Sequence, residues 1–338
     1  MEKRVKVFLY SEMQKQIEKS GVGRAIHHQK NAADHNGIEI VGSLEEADVI
    51  HINTVFFKSW LVAKKAKRQG KAVVYHAHST REDFRNSYLG SNLVSGFFQK
   101  WITFCYQLGD VIVTPSEYAK SLLIGYGIRR EIRVVSNGID LGDYRRDEAA
   151  GRRFREKYGF RPEEKVVIGA GLVIGRKGIV DFVELAKRLP QYRFIWFGDS
   201  NLNLVSRAVR KAAKTKLPNL TFAGYVDKKS LQDAHCGSDL FLFPSFEETE
   251  GIVVLEALAL KTPSLLRRIP VYGGWIEEDR DAYMAGDLDE FERKITGILE
   301  KKLPDLTEAG YRVAEKKRIE EVGKQLAEIY RELGEAKK

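Results

Sequence analysis

Short apolar runs alternate along the chain with longer segments, and this alternation is the main structural signal in the sequence. Val5–Tyr10, Val166–Ala170 and Asp239–Phe243 have the length and continuous hydrophobicity of buried parallel strands. Lys58–Gln69 and Ile252–Leu260 are long enough to be helices between such strands. The repeated order of strand and helix predicts βαβ units with right-handed crossovers, and therefore an α/β protein with parallel sheets.

Two such strand–helix series are separated by a charged stretch at residues 145–165, which is poor in large aliphatic side chains. The chain has 338 residues, more than one hydrophobic core ordinarily organises, so two domains are expected. We expect an N-terminal Rossmann-like domain at residues 1–145, a second at 146–305, and a helical segment at 306–338. Site-like loops at the carboxyl ends of strands in both domains predict a cleft between the two halves.

Composition and charge narrow the function classes. A net charge of +9 predicts an acidic partner, such as anionic lipid, nucleic acid or nucleotide phosphate. No apolar run is long enough to span a bilayer, and the first residues lack the cleavage pattern of a signal peptide. Cys105 and Cys236 form neither a disulfide framework nor a zinc spacing, which favours a reducing cytoplasm. No recognition-helix or RNA-binding motif supports the alternative of a nucleic-acid-binding protein.

The most informative stretch is Pro244–Ala259, in which an acidic, glycine-bearing turn joins a predicted strand to a predicted helix. The free N–H groups and the positive dipole end of such a helix bind an anion, most often a phosphate. Glu248 lies in the turn, where it can accept hydrogen bonds from sugar hydroxyls. Glu256, after seven intervening residues, can reach a ribose whose diphosphate sits on the amides of Gly251–Val253. The alternative is that both acids are solvated residues at a helix start.

This stretch resembles the E-x7-E signature of the family-4 retaining glycosyltransferases, including the leading Pro-Ser and the trailing Glu-Ala. The usual Phe-Gly after the first acid is Glu250-Gly251 here. The resemblance implies the GT-B fold, with two Rossmann-like domains whose parallel sheets face each other across a cleft, and a C-terminal helix that packs back on the N-terminal domain. It also implies metal-independent hexose transfer with retention of configuration. The expected donor-binding residues are Gly23, Gly198, Val226, Glu250, Gly251, Ile252, Val253 and Glu256.

Arg176 and Lys177 lie on a glycine-flanked loop between a strand and a helix, where their charges can meet a diphosphate. The alternative is that they are ordinary surface cations. The family usually carries an arginine five residues before this lysine, and that position is Leu172 here. Whether Arg176 supplies the missing charge from another backbone position is left open by the sequence.

Two further candidates lie in the first domain. His76 and His78 share a strand face, as a metal pair would, but only His51 lies near enough to join them, so a metal site is not expected. The family carries a histidine here that faces the transferred sugar, and His78 fits that position; a hydrogen-bonded strand-end histidine is the alternative. Gly23 lies in a loop, residues 20–24, that can bring backbone close to a phosphate or acceptor hydroxyl, or can be a plain turn. The implied catalytic residues are therefore His78, Glu248, Arg176 and Lys177.

Two segments favour contact with a membrane. Lys64, Lys65, Lys67 and Arg68 belong to a helix without acidic residues, which is either a solvated face or a surface that rests on anionic headgroups. In Tyr88–Tyr106, apolar pairs recur every four residues and mark one helix face. That face either packs in the core or, in its first part, dips into a membrane interface.

The acceptor is indicated by resemblance alone. His78–Arg85, Arg176–Gly178 and Phe194–Gly198 resemble segments of bacterial diacylglycerol glycolipid synthases, especially those that add a second hexose to monoglucosyldiacylglycerol. We therefore expect transfer of glucose or galactose from UDP-glucose or UDP-galactose to a glycolipid, without a further cofactor. The expected enzyme is cytoplasmic and peripheral on the inner face of the cell membrane. A family-4 transferase with a soluble or polysaccharide acceptor, and a GT-B epimerase or phosphorylase, are the alternatives.

Overall fold

The computed structural model describes residues 5–13, 17 and 21–336, and the chain divides into two compact units. The first unit comprises residues 1–82, 94–140 and 317–338, and the second comprises residues 83–93 and 141–316. Ser20, part of the predicted glycine loop, lies outside the described residues.

The sheet of the first unit has six parallel strands in the order β2-β1-β3-β4-β5-β6. Its central strands are apolar on both faces because helices cover both sides, which explains the continuous hydrophobic runs in the sequence. The two-residue strand β2 was not predicted. The strands are β1 (Lys6–Tyr10), β2 (Glu39–Ile40), β3 (Val49–Ile52), β4 (Ala72–His76), β5 (Val111–Thr114) and β6 (Glu131–Val134).

The last helix, Ile319–Ala336, packs in the first unit against the helix Gly21–His35. Gly323 is needed there, because a Cβ at this position would lie 2.5 Å from the carbonyl oxygen of Ala32. Ser116 caps the helix Glu117–Gly125 by accepting a hydrogen bond from the amide of Ala119. The helices between residues 21 and 140 are Gly21–His35, Phe57–Arg68, Arg81–Phe84, Ser91–Tyr106 and Glu117–Gly125.

The predicted glycine loop at residues 20–24 is wrong where it can be described, since Gly21 and Gly23 belong to the first turn of the helix Gly21–His35. A glycine lowers helix propensity by about 1 kcal/mol relative to alanine, but burial of one helix face outweighs this local preference. The buried face includes His28, Gln29 and Ala32. The proposed backbone contact of Gly23 with a substrate therefore has no loop to support it.

The helix Ser91–Tyr106 is divided along its length between core and surface. Ile102, Cys105 and Tyr106 are fully buried, which confirms the core interpretation for its C-terminal part. Phe97, by contrast, is 75% exposed and Val94 is also exposed. Hence the first turns of the helix present apolar side chains outward.

The sheet of the second unit also has six parallel strands, in the order β12-β11-β10-β7-β8-β9. Its core contains large aromatic side chains such as Phe182, Trp196 and Phe291. The edge strand β12 was not predicted. The strands are β7 (Val166–Ala170), β8 (Arg193–Phe197), β9 (Leu220–Gly224), β10 (Leu240–Phe243), β11 (Ser264–Arg267) and β12 (Tyr283–Ala285).

The charged stretch at residues 145–165 contains the helix Glu148–Tyr158, which buries Phe154. Residues 306–338 form two helices, of which Thr307–Lys316 lies in the second unit and Ile319–Ala336 in the first. Asp287 caps Leu288–Leu299, and its side chain accepts a hydrogen bond from the amide of Glu290. The helices of the second unit are Glu148–Tyr158, Ile179–Arg188, Arg207–Ala213, Lys228–Gly237, Ile252–Ala259, Leu288–Leu299 and Thr307–Lys316, with short 3₁₀ turns at Gly175–Lys177, Leu202–Leu204 and Pro270–Tyr272.

The order of the second sheet positions the candidate site. Strand β7 lies between β10 and β8, and all strands run parallel, so the loops that follow these three strands emerge at the same edge. The loop after β7 carries Arg176 and Lys177, the loop after β8 begins at Gly198, and the turn after β10 carries Glu248. Three of the predicted site segments are therefore neighbours.

Candidate active site

The turn after β10 ends at Gly251, which immediately precedes the helix Ile252–Ala259. Gly251 has a left-handed backbone, with φ 94° and ψ 69°, that a residue with a side chain adopts only with strain. None of the described residues accepts a hydrogen bond from the amides of Gly251, Ile252 or Val253. These amides and the helix dipole form an anion-binding arrangement, as the sequence predicts.

Glu248 forms the centre of a buried charged cluster. Its Oε1 accepts hydrogen bonds from Nζ of Lys177 at 2.5 Å and from Oγ of Ser245 at 2.6 Å. The side chain of Glu248 is 8% exposed and that of Lys177 is 14% exposed. Burial raises the pKa of Glu248, but the charges of Lys177 and Arg176 outweigh it, so the net pKa is lowered and the carboxylate stays ionised.

Arg176 binds three groups of its own unit. Its Nη1 lies 2.9 Å from Oδ1 of Asp83 and donates to the carbonyl of Glu247 at 2.8 Å, while its Nε donates to Oγ of Ser87 at 3.3 Å. The same Nη1 lies 3.6 Å from Oε1 of Glu248. Burial lowers the pKa of Arg176, but the carboxylates of Asp83 and Glu248 outweigh it and raise the net pKa.

The contacts of Arg176 bear on whether it replaces the arginine that the family usually has at the position of Leu172. Much of the Arg176 guanidinium binds carboxylates and a carbonyl, so its part in holding a diphosphate stays a prediction. Asp83 and Ser87 were not predicted as members of this cluster. No local signal marks them, because Ser87 is 89 residues from Arg176 along the chain.

The close approach of the two loops depends on Gly178. Its φ is +74°, and a Cβ there would lie 2.1 Å from the carbonyl oxygen of Pro244. The amide of Phe246 donates to the carbonyl of Arg176 at 2.8 Å and joins the loops further. Lys177 thus reaches Glu248 because β7 and β10 are adjacent and because glycine allows backbone contact between the loops that follow them.

Glu256 is buried on the helix Ile252–Ala259, and its Oε1 accepts a hydrogen bond from the hydroxyl of Tyr144 at 2.8 Å. The tyrosine fixes one carboxylate oxygen of the predicted ribose ligand. Tyr144 was missed because a lone tyrosine in a polar segment carries no chemical pattern. Glu250 is fully buried, and Val253 is half-buried.

Gly198 ends β8 at a point of tight backbone contact. A Cβ at Gly198 would lie 2.0 Å from the carbonyl oxygen of Gly171, and its amide donates to the carbonyl of Gly224 at 2.8 Å. Val226 follows β9 and is half-buried. The structure brings Gly198 to the edge that carries Lys177, and the roles of Gly198 and Val226 in donor binding stay predictions.

In the first unit, His78 belongs to a network of neutral polar side chains. Its Nε2 lies 2.9 Å from Oδ1 of Asn53, and its ring stacks on His76 with centroids 3.9 Å apart. Nε2 of His51 lies 3.1 Å from Nδ1 of His76. Nε2 of Gln29 donates to Oδ1 of Asn53 at 2.8 Å. The three histidines were predicted as neighbours, whereas the two amide side chains, Gln29 and Asn53, were not predicted.

Burial determines the charge state of these histidines. Burial lowers the pKa of His51 and of His78 to about 3, and it lowers the pKa of His76 well below its ordinary value. Neighbouring histidines lower the pKa values of His51 and His76 further. All three rings are therefore neutral at physiological pH. Within residues 5–13, 17 and 21–336, no group of three or more His, Cys, Asp or Glu side chains is arranged to hold a metal ion.

Sequence models of known families match both parts of the chain. Residues 22–143 match the family described as Glycosyltransferase Family 4, and residues 151–318 match Glycosyl transferases group 1. The chain is 38% identical over 331 residues to the processive diacylglycerol alpha-glucosyltransferase of Acholeplasma laidlawii, covering 97% of this chain and 98% of the relative. It is 29% identical over 234 residues to the alpha-galactosylglucosyldiacylglycerol synthase of Streptococcus pneumoniae (strain ATCC BAA-255 / R6), covering 67% and 62% of the two chains.

Solved structures resemble the whole chain in fold. Anabaena Alr3699/HepE in complex with UDP and glucose gives a TM-score of 0.78 at 17% identity, covering 97% of this chain and 99% of that one. Sucrose-phosphate synthase from Thermosynechococcus elongatus gives a TM-score of 0.79 at 15% identity, covering 98% and 100%. Among the helices that the structure describes, none combines the length and the apolar character needed to cross a membrane.

Proposed function

Because the chain belongs to the family-4 glycosyltransferases and has the GT-B fold, we propose that it transfers a hexose, glucose or galactose, from a UDP-sugar to a glycolipid acceptor. The acceptor class is supported by the similarity, over nearly the full length of both chains, to a diacylglycerol glucosyltransferase. Monoglucosyldiacylglycerol at a membrane surface is the acceptor that we propose.

The donor part of the proposal rests on the buried Lys177–Glu248 pair and on the amides at the start of the helix Ile252–Ala259, for which no described residue provides an acceptor. The lysine and the amides stabilise the negative charge that develops on the leaving diphosphate. Arg176 adds positive potential and holds the Glu248 turn through the carbonyl of Glu247. Glu248 accepts hydrogen bonds from hexose hydroxyls, and Glu256 binds the ribose.

We propose that the transfer retains the anomeric configuration through attack on the face from which the diphosphate leaves. The bond between C1 and the phosphate oxygen breaks, and the acceptor oxygen forms its bond to C1 on that face. The acceptor proton moves to the leaving phosphate oxygen, so atoms and charge balance. The engagement of Oε1 of Glu248 by Lys177 and Ser245 supports a role in holding the sugar. A donor analogue bound with a carboxylate within bonding distance of C1 would contradict this route.

We also propose that no metal ion is required, because fixed cations and amides meet the diphosphate. Transfer measured after treatment with EDTA should then equal transfer in added Mg²⁺ or Mn²⁺. A loss of activity with EDTA that either metal restores would show that the fixed charges are insufficient.

The membrane part of the proposal rests on an exposed apolar surface of the first unit, which we call the aromatic face and define as Phe57, Trp60, Leu61, Phe97 and Phe104. The rings of Phe57 and Trp60 stack with centroids 5.6 Å apart, and those of Trp60 and Phe104 lie 5.7 Å apart. Phe57 is 61% exposed and Phe104 is 51% exposed. Aromatic and leucine side chains displayed together in this way are typical of a surface that enters the headgroup region of a bilayer.

The basic residues next to this face contribute less than the sequence predicts. Lys65 pairs with Glu45 at 2.7 Å, and Lys67 pairs with Asp110 at 2.6 Å. Their charges are therefore balanced within the protein. Nζ of Lys64 lies over the ring of Trp60 at 4.5 Å. We therefore propose that anionic headgroups are attracted mainly by Lys64 and Arg68, and that the aromatic face supplies the apolar contact.

The test is a transfer assay with radiolabelled UDP-glucose and UDP-galactose, offered to diacylglycerol or monoglucosyldiacylglycerol in vesicles with and without anionic lipid. We expect a labelled glycolipid whose formation depends on anionic lipid. The variant Glu248→Gln should lose about 100-fold or more in kcat/KM, since it removes both a sugar ligand and the partner of Lys177. Glu247→Gln is the matched control, because the hydrogen bond of Glu247 to Arg176 is through its main-chain carbonyl, and its carboxylate raises the pKa of Arg176 less than those of Asp83 and Glu248 do.

Other outcomes separate the alternatives. Release of UDP without labelled lipid would retain the transferase and discard the lipid acceptor, in favour of a soluble or polysaccharide acceptor. No turnover of either UDP-sugar would overturn the donor assignment. Co-sedimentation with vesicles tests the aromatic face: the double variant Phe57→Ser/Phe104→Ser should lose binding, whereas the exposed control Ile124→Ser should keep it.

A further inference from the structure

The second unit contains a basic segment that has no acidic residues of its own. Between Asp199 and Asp227 the chain carries five lysine and arginine residues and no aspartate or glutamate. The helix Arg207–Ala213 lies in this segment and begins after Ser206, whose side chain accepts a hydrogen bond from the amide of Val209. The segment is therefore a capped helix of strongly positive charge.

One face of this helix is buried and the opposite face is charged. Val209 and Ala212 are buried. Arg207, Lys211 and Lys214 are exposed, and their spacings of four and three residues place them on one side of the helix. Because the core takes the apolar side, the three cations are held together on the surface.

The charges of these three cations are not balanced within the protein. No carboxylate of the described residues lies within ion-pair distance of any of them. In the first unit, by contrast, Lys65 pairs with Glu45 and Lys67 pairs with Asp110. A nearby carboxylate cancels much of the field of a cation, whereas an exposed cation without one keeps its attraction for anions. The helix in the second unit therefore offers its charge to an anionic partner.

Exposed leucine side chains lie beside the basic helix. The amide of Leu89 donates to the carbonyl of Leu204 at 2.7 Å, which joins two loops of the second unit. Leu89 is 59% exposed and Leu204 is 51% exposed. The helix is tied to the same loop, because Nε of Arg210 donates to the carbonyl of Leu202 at 2.9 Å. We call this region the basic surface and define it as Leu89, Leu204, Arg207, Lys211 and Lys214.

We propose that the basic surface binds the headgroup region of an anionic bilayer, with its cations on lipid phosphates and its two leucines at the acyl boundary. Exposed apolar side chains next to unpaired cations match the two components of such an interface. A soluble polyanion would contact the cations and leave the leucines without a role. The inference goes beyond the proposed function, which assigns membrane contact to residues of the first unit alone.

The first test measures partitioning of the full chain onto phosphatidylcholine vesicles with and without phosphatidylglycerol. Each cation near an anionic membrane surface strengthens binding about fivefold. The triple variant Arg207→Gln/Lys211→Gln/Lys214→Gln should therefore lower the partition coefficient on anionic vesicles about 100-fold. On vesicles of phosphatidylcholine alone, the same variant should bind like the unmodified protein.

A second triple variant controls for net charge. Arg152→Gln/Lys157→Gln/Lys229→Gln removes the same number of exposed cations from other helices of the second unit. Its partition coefficient on anionic vesicles should stay within about threefold of the unmodified value, because charges beyond a screening length of about 8 Å contribute little. Equal losses in the two triple variants would overturn the proposal, since they would show that only the total charge matters.

The second test examines the leucines. Salt at about 1 M shortens the screening length to about 3 Å and suppresses the contribution of the cations. Leu89→Ser/Leu204→Ser removes apolar contact and should lower the partition coefficient about tenfold, both at physiological and at high salt. An unchanged partition coefficient in this variant would overturn the proposal, because the surface would then bind phosphate charge without entering the bilayer.

A fluorescent probe reports on the basic surface separately from the first unit. An environment-sensitive dye on Leu204→Cys should shift its emission to the blue on anionic vesicles, whereas the same dye on Lys229→Cys should stay in water. The native Cys105 and Cys236 are buried, so the introduced thiol is the one that reacts. A dye at position 204 that responds to single-stranded DNA and not to vesicles would overturn the proposal and indicate a soluble polyanion as the partner.

Failure of the inference and failure of the proposed function are distinguishable, because vesicle binding is measured without a UDP-sugar. If the dye at position 204 enters anionic vesicles but no hexose is transferred, the inference stands and the proposed function fails. If labelled glycolipid forms while this dye stays in water, the transferase stands and the assignment of the basic surface is wrong.

Discussion

The two units bury polar side chains at the carboxyl ends of their strands by opposite electrostatic means. In the first unit, His51, His76 and His78 are neutral and are linked through amides and a phenol. In the second unit, Lys177 and Glu248 are buried as a directly bonded pair, with Arg176 3.6 Å from the carboxylate. We refer to these below as the histidine network and the charged cluster.

The two arrangements suit different chemical tasks. Desolvation removes charge from an imidazole, whose pKa lies near neutrality, more readily than from a carboxylate with two cations beside it. The histidine network therefore offers directed hydrogen bonds without net charge, which suits recognition of hydroxyls. The charged cluster holds a permanent field, which suits a reaction in which charge develops on a phosphate.

Removal of one partner from the buried ion pair of the charged cluster is expected to have the largest effect on stability. Lys177→Met or Glu248→Gln alone leaves a buried ion without its partner, and each should lower the free energy of unfolding by about 3–5 kcal/mol. The double variant should lose less than the sum of the two, by about 1–3 kcal/mol. Urea denaturation of the four proteins measures this coupling, and strictly additive losses would mean that the pair does not interact.

The pH dependence of stability separates the two regions. The pKa values of His51 and His78 in the folded protein are about 3, below the ordinary 6.5, so the unfolded chain binds more protons between these values. Their contribution to stability is complete above about pH 6.5 and declines as pH falls, by at most about 1.4 kcal/mol per pH unit for each ring. Glu248, whose pKa is lowered, contributes above about pH 4.3 and loses its contribution only below that.

Urea midpoints between pH 7 and pH 5 therefore report the histidine network rather than Glu248. His51→Phe should flatten the decline in this range, whatever its effect on absolute stability. An unchanged slope would show that His51 titrates normally in the folded protein.

A smaller effect is expected from the glycine that allows the charged cluster to assemble. Gly178→Ala should cost about 1–3 kcal/mol of unfolding free energy, because φ is +74° and the Cβ would contact the carbonyl of Pro244. Gly159→Ala is the matched control, since Gly159 has a similar φ of +69° but nothing within 4 Å of its Cβ position. In thermal unfolding, Gly178→Ala should have a lower Tm than Gly159→Ala. An equal loss of Tm in both variants would mean that the contact between the loops costs nothing beyond backbone strain.

The smallest effect is expected at the position where the family has an arginine. Leu172 is 39% exposed, so Leu172→Arg should change the unfolding free energy by no more than about 0.5 kcal/mol. If Arg176 supplies the charge, the variant should alter kcat/KM by less than about threefold. A large gain would instead show that the charged cluster lacks a cation at the diphosphate.

Much of the fold was predictable because its signals are local. Val166–Ala170 was predicted with the bounds it has in the structure, since the signal of a continuous apolar run acts over a few residues. The glycine loop around Gly23 was predicted wrongly for the same reason. Its local preference favoured a turn, and packing of the helix face that contains Ala32 decided otherwise.

The sequence by itself determined the succession of strands and helices, the anion-binding turn and the residues that carry its charge. Only the tertiary structure decided which of these groups meet. Asp83 and Ser87 bind Arg176 across the folded second unit, and Tyr330 reaches His51 over 279 residues of chain. Hydrogen bonds and ion pairs depend on distances of a few ångströms, and those distances are set by strand order and by backbone contacts such as that of Gly178 with Pro244, which no local pattern encodes.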